Sequence, residues 1–389
     1  MIVVTLLLLM TLFVAYSNGA NYNFKGAATL YGANVADYKK AITIATAATF
    51  AGCVTSVLLA EALVQAFSGK ALVPDAVAGS PIFVLAVASG TGATVIIATF
   101  FGFPISTTHS LIGALVGTGF MAVGNKLNYE ILGSAFFLPL LASPLISILI
   151  AMPFYRFAHV AVKRLGLTKH SCVCIAPGQF VPAAQFQAVD NSVVCCQGSC
   201  IPAAASTSLV VQNASIAMGT APDCMDKYNG YVFGVTAQLL VDGMHYLSGV
   251  AVSFARGLND TPKIVGLLLV VHALDLKVSM LAVAIAMAIG SWLNARKVAE
   301  TMSKKISKMN DGQALIANLV TAFMVIFASR LGLPVSTTHV SVGAITGIGI
   351  INGTADFAVV RGIVMSWLLT LPIAAAIGAG TYITYTIVL

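Results

Sequence analysis

Twice in this sequence a proline is followed, one residue later, by three hydroxyl side chains and a histidine. Pro104 and Ile105 precede Ser106, Thr107, Thr108 and His109, and Pro334 and Val335 precede Ser336, Thr337, Thr338 and His339, 230 positions later. The match continues into a glycine-rich apolar run, where Gly113, Ala114, Gly117 and Gly119 recur as Gly343, Ala344, Gly347 and Gly349. Proline lacks an N–H and disfavours helix in the residue before it, so it marks a break or a helix start. Ser and Thr at such a start cap it, and leave hydroxyls and the first backbone N–H groups facing one point. That point is the positive end of a helix, and the chemistry it offers is to hold an anion. One copy alone reads equally as a capped break between membrane helices. Two matched copies argue for two related halves.

A second set of polar residues repeats at an offset of 238: Gly19 on Gly257, Asn21 on Asn259, Tyr22 on Asp260 and Lys25 on Lys263. Asp260 lies in an apolar stretch, where an ionisable group is a functional candidate by default; its other reading is a salt bridge to Arg256 or Lys263. Asn21 and Asn259 offer amide oxygens to a cation, or cap a helix. Lys25 and Lys263 can counter an oxyanion, or pair with a carboxylate. Asn23, His109 and His339 read as outer partners that orient a hydroxyl, with proton coupling as a second role for the histidines. A hydroxyl beside a histidine in sequence is not a catalytic triad. A membrane-embedded hydrolase would also leave the second copy without a role, so the chain reads as no enzyme. Glu61, Asp242 and His245 read as structural.

The elements that must position these residues are membrane segments. With 58% hydrophobic residues, 8% charged residues and a mean hydropathy of +0.94, a soluble globular domain is excluded for most of the chain. The 389 residues have room for roughly ten to twelve segments of about 20 residues. The net charge of +7 is then a matter of topology, with no nucleic-acid partner implied. Met1 to Ala15 lacks the basic start of a signal peptide and reads as a retained first helix.

Three regions follow: a first membrane repeat over 1–160, a cysteine-rich central loop over 161–228, and a second membrane repeat over 229–389. The spacing predicts a discontinuous span over 1–37 with its break at Ser17 to Asn23, and a span over 41–66. A hairpin over 79–124 carries the first hydroxyl run, and a long span covers 131–160. The second half repeats this order: 230–273 broken near Arg256 to Lys263, a span over 276–294, a loop to about 309, a hairpin over 312–351 and a span over 358–388. The loop 295–309 holds Arg296, Lys297, Lys304, Lys305 and Lys308 against Glu300, so it should be cytoplasmic. Its counterpart 67–78 holds only Lys70 and Asp75, as expected if the halves are inverted. Three crossings per half put both termini outside and the central loop in the cytoplasm. The loop holds six of the seven cysteines, Cys172, Cys174, Cys195, Cys196, Cys200 and Cys224, in a spacing that is not a standard zinc pattern. A linker domain with incidental thiols is expected, and no metal.

A Gly-Ala-Asn-type motif paired with Pro-x-Ser-Thr-Thr-His, repeated in two halves, resembles the inorganic phosphate transporter family. The resemblance covers nearly all of the chain outside 161–228. It implies an all-α polytopic membrane protein with two inverted-topology repeats, discontinuous helices and re-entrant hairpins. It further implies a secondary transporter of phosphate coupled to sodium or protons, with no other cofactor, in the cell membrane as a homodimer. The anion would be held by Ser106, Thr107, Thr108, Ser336, Thr337 and Thr338, with Lys25 and Lys263. The cation would be held by Asn21, Asn259 and Asp260. The family pattern is Gly-Ala-Asn-Asp in both halves, and here Tyr22 stands where the first aspartate should be. A proton-coupled sulfate or other oxyanion permease is the alternative in the same class, and an uncoupled anion channel the alternative of another class.

Overall fold

The computed structural model describes residues 2–164 except 33–34, 60 and 71, and residues 235–389 except 271–274 and 305–310; between them it describes only short strands. Side chains are described outside 161–238 and 302–311, and excluding those of Lys25, Val57 and Glu61. The chain divides into two compact units, one of Met1–Tyr155 with His245–Leu389 and one of Arg156–Met244.

Outside the short strands the described chain is helical. Its first half runs α1 (Ile2–Tyr22), α2 (Ala28–Gly32), α3 (Tyr38–Leu59), α4 (Glu61–Ala66), α5 (Asp75–Ala78), α6 (Pro81–Phe100), α7 (Thr107–Val123), α8 (Tyr129–Ile131) and α9 (Leu138–Arg164). The second runs α10 (Ala237–Val265), α11 (Leu276–Asn294), α12 (Arg296–Lys304), α13 (Asp311–Arg330), α14 (Thr337–Asn352) and α15 (Phe357–Val388). Among the described residues, six helices are long and apolar enough to cross a membrane: Ile2–Tyr22, Pro81–Phe100, Tyr129–Val160, Leu276–Asn294, Gly312–Arg330 and Phe357–Val388. Two of them, α6 and α13, are the first arms of the expected hairpins. Large apolar side chains such as Leu145, Leu149, Leu368 and Leu369 stand exposed on α9 and α15, as lipid-facing surface requires.

The smaller unit holds a four-stranded sheet in the order Ser199–Pro202, Val193–Cys196, Cys172–Pro177, Ala214–Ala217, with its central pair parallel. The expected thiol cluster falls on it. Its side chains, and Cys224 altogether, lie outside the described residues.

Two helices are more continuous than the polar clusters in their sequence predict. The break expected at Ser17 to Asn23 lies a few residues later, because α1 runs on through Tyr22 and the 3-10 turn Asn23–Lys25 then separates it from α2. Likewise α10 runs through Arg256 to Lys263 with Pro262 inside it. Asn disrupts a helix when its amide competes for neighbouring backbone groups. Here the Asn18, Asn21 and Asn23 amides donate instead to Thr107, Thr99 and Thr46 on other helices. The expected loop after Asn294 also folds, as α12, with Val298 and Ala299 buried and Arg296 paired to Glu300 at 3.3 Å.

The two halves pack by exchange. A side chain at Gly19 would strike the Met287 carbonyl on α11, and one at Gly257 would strike the Thr49 carbonyl on α3. A side chain at Gly52 would strike Phe254, and one at Gly290 would strike Tyr16. Shifting either contact of a pair by 238 positions, forwards for one partner and backwards for the other, produces its mate. Helix α1 therefore rests on α11 as α10 rests on α3. The later glycines pair in the same sense: Gly113 and Gly117 lie on Leu371 and Ala375 of α15, while Gly343 and Gly347 lie on Pro144 and Ile148 of α9. Small residues let helix backbones approach this closely, and lipid-embedded helices gain their contact energy that way.

Candidate functional site

The two hydroxyl runs open helices in the same manner. Gly102 and Gly332 turn the chain with φ of +72° and +71°, a conformation glycine adopts without strain. Proline follows after one residue, and Ser106 and Ser336 then cap α7 and α14. Each serine hydroxyl accepts from the backbone N–H three residues on, His109 at 3.3 Å and His339 at 3.4 Å. The serine oxygens thus satisfy the helix ends, and the other hydroxyls of the two runs are those of Thr107, Thr108, Thr337 and Thr338. All six side chains are buried.

The ends meet across a local two-fold relation. Thr108 Oγ1 lies 3.5 Å from the Val335 carbonyl and Thr338 Oγ1 lies 3.3 Å from the Ile105 carbonyl. His109 and His339 face each other with ring centroids 4.5 Å apart, and His339 also stacks on Trp367 at 3.8 Å and reaches the Leu140 carbonyl at 3.1 Å. The imidazoles therefore pack behind the hydroxyl runs.

Between these ends and α1 lies a cluster of buried ionised groups. Asp260 is 3.6 Å from Arg256 and 3.8 Å from Lys263, and it accepts from the amides of Asn18 and Asn259, each at 3.2 Å. Lys263 Nζ donates to Thr108 Oγ1 at 3.0 Å and to the Val335 carbonyl at 2.7 Å. Asn18 donates to Thr107 Oγ1 at 2.8 Å, which ties the first hydroxyl run to the carboxylate. Among the described residues the cluster holds two cationic side chains against one carboxylate, a net positive formal charge.

The sequence-derived candidates divide accordingly. Lys263, Asp260 and Asn259 are brought together with Thr107 and Thr108. Asn21 donates to Thr99 at 2.9 Å and to the Phe103 carbonyl at 3.0 Å, at the turn that leads into the first run. Its Oδ1 is buried with no hydrogen-bond partner among the described residues. Asn259 matches it, donating to Val335 at 3.2 Å, while Ser329 donates to its Oδ1 at 3.1 Å. Asn23 sits apart from the hydroxyls and receives Arg256 at 2.8 Å. The Lys25 side chain lies outside the described residues. Tyr22 is buried beneath the Arg256 guanidinium, 5.9 Å from it.

Asn18, Thr49, Thr99 and Ser329 are additions that motif reading missed. The signal was present for three of them. Thr99 and Ser329 correspond at the offset of the hydroxyl runs, and Asn18 stands 238 positions before Arg256.

A bundle of apolar helices enclosing an ionised, hydroxyl-lined interior defines a multi-pass membrane protein. The sequence matches the phosphate transporter family over residues 18–378, and the chain belongs to that family. Among its relatives is a proposed phosphate permease of Thermococcus kodakarensis, 27% identical over 94% of this chain and 93% of the relative. Another is the chloroplastic inorganic phosphate transporter 2-1 of Arabidopsis thaliana, 26% identical over 95% of this chain and 70% of the relative. The solved structure of a sodium-dependent phosphate transporter superposes with a TM-score of 0.72 at 22% identity, covering 100% of both chains. That likeness establishes the fold.

Proposed function

We propose that this protein is a secondary transporter of inorganic phosphate in the cell membrane, driven by a cation gradient and without enzymatic activity. The observation that carries the reading is the position of Lys263. Its buried ammonium bridges the two hydroxyl runs, 3.0 Å from Thr108 of the first and 2.7 Å from the Val335 carbonyl beside the second. An oxyanion at that point would meet a charged donor, the Thr107, Thr108, Thr337 and Thr338 hydroxyls and two helix N-termini. The unpartnered Asn21 Oδ1 and the Asp260 carboxylate supply oxygen of the kind a coupling cation takes. The exchanged packing of the halves supports a two-fold repeat; in this reading the repeat is inverted, and one half rocks against the other to expose the site alternately. In this reading the loop after Asn294 and the central unit are cytoplasmic, and two copies of the chain assemble as a homodimer.

The test is uptake of labelled phosphate into proteoliposomes under a sodium gradient and, separately, a proton gradient, with sulfate as competitor. Accumulation of phosphate under one cation gradient, with sulfate ineffective, is the expected result. Sulfate accumulation in place of phosphate, or phosphate flux without any cation gradient, would overturn the assignment.

A further inference from the structure

Arg256 is the largest wholly buried side chain among the described residues, and it does more than balance Asp260. Lys263 already stands against that carboxylate. A second buried cation leaves the cluster net positive, which folding stability alone does not favour. The guanidinium is instead ringed by oxygen: the Asn18 carbonyl at 3.1 Å, Asn18 Oδ1 at 2.7 Å, Asn23 Oδ1 at 2.8 Å, Thr49 Oγ1 at 3.5 Å and Asp260 Oδ2 at 3.6 Å. Carbonyl, amide, hydroxyl and carboxylate oxygens are the donors that hard inorganic cations select. They come from α1, the 3-10 turn after it, α3 and α10, so the guanidinium joins the two halves. Its counterpart in the first half, Asn18, is neutral.

We propose that Arg256 is a tethered resident cation: its guanidinium fills a set of oxygen donors that would otherwise hold an exchangeable sodium-sized ion. Each transport cycle then needs one exchangeable cation fewer. This rests on the transporter reading above, and the closing test separates the two.

Arg256→Asn places in the second half the residue that stands at the matching position of the first, and Arg256→Gly empties the space. In detergent at equal ionic strength, exchanging choline chloride for sodium chloride should raise the melting temperature of wild type only by what its remaining exchangeable cation sites contribute. Both variants should gain more from sodium than wild type does, and Arg256→Gly should also gain from guanidinium at millimolar concentration, where wild type should not. Arg256→Lys, which keeps a charge in place, should behave as wild type. In proteoliposomes, phosphate uptake by Arg256→Asn should fall about tenfold or more when sodium is replaced by choline, and the sodium carried per phosphate should rise by one. Variants unfolded in sodium and choline alike would make Arg256 a structural strut and overturn the proposal, as would variants whose sodium dependence equals that of wild type in both assays. Wild type that carries no phosphate would remove the transporter reading, while the melting data would still decide the resident cation.

Discussion

At the scale of single residues, the ion cluster assigns unequal roles to groups that look alike in sequence. Lys263 contacts the hydroxyl run directly, and Asp260 keeps company with both cations. Removing Lys263 as Lys263→Ala leaves Asp260 paired to Arg256, so the fold should survive while the anion loses its charged donor. A hydrogen bond to a charged group is worth roughly 1.5–3 kcal/mol. The expected result is a rise in KM for phosphate of about tenfold to a hundredfold, read by uptake kinetics. Asp260→Asn is the opposite case, because two buried cations then face each other without a counter-charge. Breaking a buried pair in this way costs about 3–5 kcal/mol, to be seen as a large fall in melting temperature in detergent. Ser106→Ala should be mild by comparison, about 1 kcal/mol for a lost cap, since its oxygen serves the His109 N–H.

At the scale of elements, the close helix approaches set the strictest demands. Gly19 and Gly257 occupy matched contacts, so Gly19→Ala and Gly257→Ala should destabilise by similar amounts, roughly 1–3 kcal/mol each, in denaturant titrations of the purified protein. Helix ends were the most legible feature of the sequence. Pro104 and Pro334 fix where α7 and α14 begin, because a missing N–H is tolerated only at a start. The extent of the helices was less legible: Asn18 and Asn21 read as helix breakers, and only their partners on other helices show why α1 runs past them, while α10 runs on through Pro262. The same holds for the site. Lys263 and Asp260 stood out as charges in an apolar run, whereas Thr49 and Thr99 look like any other helical threonines until α3 and α6 bring them to Asn23 and Asn21.

At the scale of the whole molecule, the inverted-repeat reading makes a prediction about sides. Lys70 and Lys297 lie in corresponding connections, are both exposed, and should open on opposite faces of the membrane. A membrane-impermeant maleimide should label Lys297→Cys only from the cytoplasmic side and Lys70→Cys only from outside, each measured as the increment over wild type. Labelling of both from one side would rule out inversion.

The facing pairs His109 with His339 and Asn18 with Arg256 have a consequence for how such a protein can diversify. On a local two-fold axis a residue meets its own copy. Two histidines or two asparagines tolerate that meeting, but two buried guanidiniums would repel. A change to arginine is therefore open to one copy only, with its carboxylate retained alongside and an uncharged phenol left opposite. Two identical chains read from one gene could never make that change singly. Fusion of the halves into one polypeptide is what permits an unequal, charged interior on a symmetric frame.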